Sequence, residues 1–251
     1  MSPSLLKVVF ALAILVVILI AGYYPFKKRF IDKTHTDFPL GETLATGVFL
    51  GAALLHMLPE ANVQFTQMGY HYPFAFLITG IFFLVFLWFE HLGKELYHHH
   101  DANHPAFALV AWAMLSFHSL VLGAALGLTH DYAIVVMLFL AIIAHKWAES
   151  FAIAMQLAKS SLSPSLSVLF FILFSLMTPL GIFIGWYFEH NVATQSLFDP
   201  ILIAASAGTF FYLGTLHGLE RCVMVQRCCN LRYFSFVIVG FLLMAAVAVY
   251  T

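Results

Sequence analysis

The chain has 251 residues, 62% of them hydrophobic and only 9% charged, with a mean hydropathy of +0.94. A soluble domain carries about 25% charged residues, so this chain cannot wet the surface of a globule of its size. Its net charge of −1 also removes the basic surface that nucleic-acid binding requires. The apolar runs are continuous and reach the roughly 20 residues of a spanning helix, whereas barrel strands alternate over about ten. The expected fold class is therefore all-α, a polytopic membrane protein with one transmembrane domain over residues 1–251 and no room for a sizeable soluble domain.

In chain order the predicted spans are Leu5–Tyr24, Pro39–Leu58, Pro73–Leu92, Pro105–Leu128, Tyr132–Ala158, Leu166–Phe188, Pro200–Leu219 and Tyr233–Tyr250. Several open at a proline, which suits the first turn of a helix. The basic residues fall into an alternating pattern. Lys27, Lys28, Arg29 and Lys33 follow the first span, Lys94 the third, Lys159 the fifth, and Arg221, Arg227 and Arg232 the seventh. The even connections carry acids and histidines instead: Glu60, Asp131, Glu189 and Asp199 with His71, His130 and His190. Basic residues mark the cytoplasmic side, so both termini are predicted outside, and the first span reads as an N-out anchor rather than a cleaved signal. An outer face with acids and no bases would concentrate cations. Cys222, Cys228 and Cys229 all fall in the seventh connection, where cytoplasmic thiols stay reduced and metal handling or palmitoylation are the open alternatives.

Ionisable residues at membrane depth mark function by default. The fourth span carries His118 near its middle; the fifth carries His145, Lys146 and Glu149. The short turn Thr129-His130-Asp131 folds these spans into an antiparallel hairpin and sets position 118 about one helical turn from His145. His145 and Glu149 are four apart and share a face. Two imidazoles and a carboxylate suit Zn²⁺, and also Fe²⁺, Mn²⁺ or Co²⁺. The alternative for these residues is interhelical hydrogen bonding with Glu149 paired to Lys146. Gly123 and Gly127 form a small-residue face on the fourth span, and Thr178-Pro179-Leu180-Gly181 is expected to interrupt the sixth at mid-span. These glycines and Pro179 are candidate hinge or packing positions. His56 and Glu60 lie four apart near the outer end of the second span, and His217 and Glu220 end the seventh. The third connection holds His98, His99, His100, Asp101 and His104, a tract that either binds metal loosely or is simply solvated.

These segments resemble the ZIP (Zrt/Irt-like) family of divalent-metal transporters over nearly the whole chain. The matching stretches are His56-Met57-Leu58-Pro59-Glu60-Ala61, His118-Ser119 with Gly123 and Gly127, His145-Lys146 with Glu149-Ser150, the Thr178-Pro179-Leu180-Gly181 segment with Gly185, and Gly208-Thr209-Phe210-Phe211-Tyr212. The resemblance implies eight helices with both termini outside. Many members hold two adjacent metals; the positions that would serve the second are here Ser119, Leu122 and Lys146, with Thr178 and His217 where glutamates are common. The ligands of one site survive, and Lys146 stands in place of the second.

The expected function is transport of a divalent transition metal, Zn²⁺ first and Cd²⁺, Fe²⁺, Mn²⁺ or Co²⁺ as further substrates, into the cytoplasm by alternating access across the plasma or inner membrane. His118, His145 and Glu149 would hold the metal with Ser119 as a weak or supporting ligand. His56 and Glu60 would serve entry, and His217, Glu220, His98, His99, His100 and His104 release. No cofactor is expected; the partners are the metal and the lipid bilayer, with homodimerisation left open. The rival reading is an intramembrane zinc hydrolase acting on lipid amide or acyl bonds, which would need a further deep acid or base; Glu42 and Glu90 both lie near span ends. A metal-sensing receptor is a third reading, for which the short connections leave little partner surface. The topology is tested by two-sided labelling of single-cysteine variants in intact cells. Probes after the second, fourth and sixth spans should label from outside, and labelling of the third connection from outside would reverse the assignment.

Overall fold

The computed structural model describes residues 3–31, 38–97, 105–129, 131–188, 197–216, 218–219 and 230–249. His98, His99, His100, His104, His217, Glu220, Cys222, Cys228 and Cys229 lie outside the described residues. The described part is all-helical: α1 (Pro3–Ile31), α2 (Pro39–Gly51), α3 (Leu58–Gln67), α4 (Phe74–Tyr97), α5 (Pro105–Leu128), α6 (Tyr132–Lys159), α7 (Pro164–Phe188), α8 (Phe198–Tyr212) and α9 (Leu231–Ala248). A π-helical turn, Ala52–Met57, joins α2 to α3. Among the described residues, eight helices are long and apolar enough to cross a membrane.

Several expectations change: α4 runs on to Tyr97 and α6 to Lys159, so Lys94 and Lys159 lie in helices rather than in the connections. The first helix continues to Ile31, so Lys27, Lys28 and Arg29 occupy its last turns rather than a loop. The second span does not stop before Pro59 but runs from Pro39 to Gln67. In the wide π turn the Leu58 N–H donates to the Ala53 carbonyl, five residues back. This opens the backbone just where the Pro59 ring would collide with the carbonyl four residues earlier. Finally, α7 is one continuous helix from Pro164 to Phe188 with Pro179 inside it, not an interrupted one. A proline deletes a single N–H donor, and the remaining ladder survives where neighbouring helices support it.

That support comes from glycines. The chain divides into two compact units, Met1–Asp37 with Glu90–Val192 and Phe38–Phe89 with Ala193–Thr251. In the first, α5 and α7 meet backbone to backbone: a Cβ on Gly123 would strike the Thr178 carbonyl, one on Gly127 that of Ile182, one on Gly181 that of Leu120 and one on Gly185 that of Ala124. The paired numbers rise together, so these helices run parallel, and Trp112 Nε1 continues the register with a 2.7 Å bond to the Phe170 carbonyl. Lipid offers no hydrophobic drive between helices, so this close van der Waals fit is what holds them. Helix α1 packs on α6 through stacked Phe10 and Phe139 rings 3.8 Å apart, and on α7 where Gly22 leaves room for the Phe171 ring.

The second unit has its own glycine seam. Gly47 and Gly51 of α2 lie against Val237 and Met244 of α9, and Gly240 of α9 against the Leu44 carbonyl. Thr79 of α4 donates to the Ala204 carbonyl of α8 at 3.0 Å. Helix α8 passes into π-helical turns at 213–216 and 218–219, so the π segments described all belong to this unit.

A methyl group at Gly123 has no space, whereas Gly80 of α4 has nothing within 4 Å of its would-be Cβ. Gly123→Ala should lower the melting temperature in detergent, by the equivalent of about 1–3 kcal/mol for overpacking. Gly80→Ala should leave it unchanged or raise it, since alanine is the better helix former by about 1 kcal/mol.

Candidate metal centre

The turn between α5 and α6 is closed by its own side chains. Asp131 accepts from the backbone N–H groups of Ala133 at 2.8 Å and Ile134 at 3.2 Å, capping α6. Thr129 Oγ1 donates to the Ala125 carbonyl at 2.8 Å and finishes α5. With so short a connection the two helices return side by side, and the middle of one faces the middle of the other. The His118 and His145 rings come to 6.0 Å between centroids, inclined at 56°. Glu149, one turn beyond His145, completes a group whose ligand atoms all lie within 4.8 Å of one another. All three residues are buried, with at most 2% exposure. Among the described residues this is the one group of three His, Cys, Asp or Glu side chains so placed.

A zinc ion with ligands at 2.0–2.1 Å spaces them about 3.3 Å apart in a tetrahedron. The arrangement therefore reaches metal geometry by a contraction of up to about 1.5 Å, which rotation about imidazole and carboxylate torsions supplies. Three ligands leave the fourth position open.

The ion pair that the sequence offered as an alternative is present beside the histidines. Lys146 Nζ donates to Glu149 Oε2 at 2.9 Å and to Ser119 Oγ at 2.6 Å. Ser119 Oγ lies 2.7 Å from Glu149 Oε1 and 2.5 Å from the Leu115 carbonyl. It has one proton and so donates to one of the two at a time. The Lys146 ammonium also sits over the Phe174 ring of α7, 5.0 Å from its centroid. Lysine, serine and glutamate are all fully buried, so Lys146 compensates the carboxylate charge at Oε2, and Oε1 receives the Ser119 proton when that hydroxyl turns from the Leu115 carbonyl.

His118, His145, Glu149, Ser119 and Lys146 are thus brought together in the first unit, with Gly123, Gly127, Pro179 and Gly181 in the helix seam beside them. His56 and Glu60 form a separate pair in the second unit, His56 Nε2 lying 3.8 Å from Glu60 Oε2. Gln64, not singled out from the sequence, extends that pair by donating to Glu60 Oε1 at 3.3 Å; its spacing of four from Glu60 was the available signal. Phe174 was also missed, because an aromatic residue in an apolar span carries no mark of what it faces. Two hydroxyls, Ser116 Oγ and Thr178 Oγ1, are buried with no hydrogen-bond partner among the described residues.

The ZIP zinc transporter family model matches residues 4–108 and 94–248. The mouse zinc transporter ZIP2 is 28% identical, the alignment covering 95% of this chain and 96% of the mouse protein. Its human counterpart is also 28% identical, over 82% of this chain and 84% of that protein. The Fe(2+) transport protein 2 of Arabidopsis thaliana is 23% identical over 98% of this chain and 87% of its own length. With the helices, the buried cluster and these matches in agreement, the chain belongs to the ZIP family, as a multi-pass membrane metal transporter and not an enzyme.

Proposed function

We propose that this transporter moves a divalent transition metal, zinc foremost, into the cytoplasm through a single site formed by His118, His145 and Glu149. The observation that carries this reading is the convergence of three buried ligand atoms within 4.8 Å of one another. Zinc as substrate is supported by the donor set, two nitrogens and one oxygen, and by the zinc-transporter names of the mouse and human relatives. The iron-transport name of the plant relative keeps Fe²⁺ beside it, with Cd²⁺, Mn²⁺ and Co²⁺ as substrates to test. Ser119 and Lys146 hold Glu149 when no metal is bound. His56 and Glu60 serve entry; His217, Glu220, His98, His99, His100 and His104 serve release. Both termini face outside, the membrane is the plasma or inner membrane, and homodimerisation is a further part of the proposal.

A site this buried cannot meet both faces of a membrane at once without becoming a pore, so exposure alternates. Gly123, Gly127, Pro179 and Gly181 make the packed seam that moves as a body with the ligands. Lys146 occupies the place of a second metal: Leu122 offers no ligand atom, and an ammonium beside Glu149 repels another dication.

Expression-matched variants in proteoliposomes test the assignment by initial-rate Zn²⁺ uptake. His118→Ala, His145→Ala and Glu149→Ala should each abolish the saturable component, while His98→Ala only tunes it. Normal uptake by Glu149→Ala ends the proposal. Since a ligating imidazole is neutral and a ligating carboxylate ionised, metal affinity should weaken as pH falls.

Anomalous diffraction should show one ion at mid-membrane; two peaks at about 3.5–4 Å, the spacing of two-metal sites, would contradict the role given to Lys146. Lys146→Ala leaves a buried carboxylate without its cation, a change that costs about 3–5 kcal/mol when a buried pair is broken. It should be read as a lower melting temperature together with impaired uptake. A variant that melts and transports like the parent would make Lys146 a bystander.

A further inference from the structure

Helix α1 supplies none of the candidate ligands, yet two of its cations are bonded to the helices that do. Lys7 is buried, and its Nζ donates to the Gly127 carbonyl at 2.7 Å. Gly127 is the penultimate residue of α5, so this carbonyl is among the four that a helix leaves unpaired at its negative end. At the other end of α1, Arg29 spreads over the end of α6 and the start of α7. Nη1 donates to the Leu157 carbonyl at 2.8 Å and to Ser167 Oγ at 2.7 Å. Nη2 donates to the Leu162 carbonyl at 2.6 Å, with the Ser160 carbonyl at 3.5 Å. Ser167 Oγ in turn lies 3.1 Å from the Leu157 carbonyl. The two cations are separated by about 33 Å of helix at 1.5 Å per residue, about the thickness of a bilayer core.

One continuous helix, with Pro25 in its last two turns, thus grips the C-terminal end of α5 at one end of the hairpin and that of α6 at the other. The ligands are divided between these same two helices, His118 on α5 and His145 with Glu149 on α6. Their ligand atoms, within 4.8 Å of one another, must close to about 3.3 Å to hold a metal, and an axial slip of a single residue, about 1.5 Å, is as large as that whole adjustment. The turn at Asp131 joins the helices at one end only. At the far end of the hairpin, Arg29 fixes the end of α6 and the start of α7, while the glycine seam ties α7 to α5.

We propose that α1 is a strap that sets the axial register of α5 against α6, making Lys7 and Arg29 positioning residues for the metal site. The proposal rests on the reading that His118, His145 and Glu149 hold the transported metal. Were the two cations merely separate helix caps, their loss would lower stability independently. As two ends of one strap, the loss of either releases the same constraint.

The experiment measures KM and Vmax for Zn²⁺ uptake in proteoliposomes, per folded transporter, for Lys7→Met, Arg29→Met, their double variant, and Lys7→Arg. Each single change should raise KM by on the order of tenfold, the lower end of what losing a group that orients metal ligands costs in affinity, with Vmax altered less than twofold. The double variant should be no worse than the poorer single, and Lys7→Arg should restore the parent KM. Sites this far apart otherwise act additively, so a double variant whose KM multiplies the two single effects, or single variants with the parent KM, would overturn the strap. If the methionine variants do not yield folded protein, Lys7→Gln and Arg29→Lys are read in the same way and by the same criteria. Glu149→Ala, measured alongside, separates the two levels: its normal uptake refutes the site, whereas its inactivity with unchanged KM in the α1 variants refutes the strap alone.

Discussion

A carboxylate with no solvent exposure on a membrane helix must be neutralised, and Glu149 sets the terms for everything near it. Its own helix supplies Lys146 three residues back and His145 four residues back. Neither suffices to satisfy both oxygens. Ser119 must come from α5 to reach Oε1, and Phe174 from α7 to cover the ammonium. Three helices therefore meet at one carboxylate, and their relative register decides whether it is satisfied. On the proposed function, a metal bound here would replace part of that compensation, with His118 and His145 within ligand distance of the carboxylate.

Register in a membrane cannot be left to hydrophobic contact, because lipid is as apolar as the helix surface. The first unit settles it with backbone. Gly123 and Gly127 on α5 interleave with Gly181 and Gly185 on α7, each glycine admitting a carbonyl of the other helix. Such contacts are short-ranged and tolerate no slip. The second unit uses the same device between α2 and α9, but combines it with π turns. The turn at Ala52–Met57 accepts Pro59 without breaking the helix and leaves His56 and Glu60 four residues apart on one side of it.

Much of the fold was legible because its signals are local. Length and hydropathy of each run mark a span, and the prolines at 39 and 105 mark helix starts to the residue. Where local signals misled, a neighbour had supplied what the segment lacked. Pro179 reads as a break, yet α7 continues through it beside a glycine seam with α5. Pro59 reads as a stop, yet the preceding π turn makes room. Lys7 lies within the first apolar span, and nothing in its flanks shows that it ends on the Gly127 carbonyl 120 residues away.

The sequence by itself determined the membrane class, the number and order of the spans, and which residues share a helical face, because period and hydropathy act over a few neighbouring residues. His145 with Glu149, and the short turn that returns α5 to α6, belong to that level. Only the tertiary structure decided that Lys146 and Ser119 both bind Glu149, that Phe174 roofs the lysine, and that α1 grips the ends of α5 and α6. Those outcomes depend on how far each helix is shifted and rotated against the next. That is fixed by side-chain and glycine packing between distant segments, which the spacing of residues along one helix does not encode.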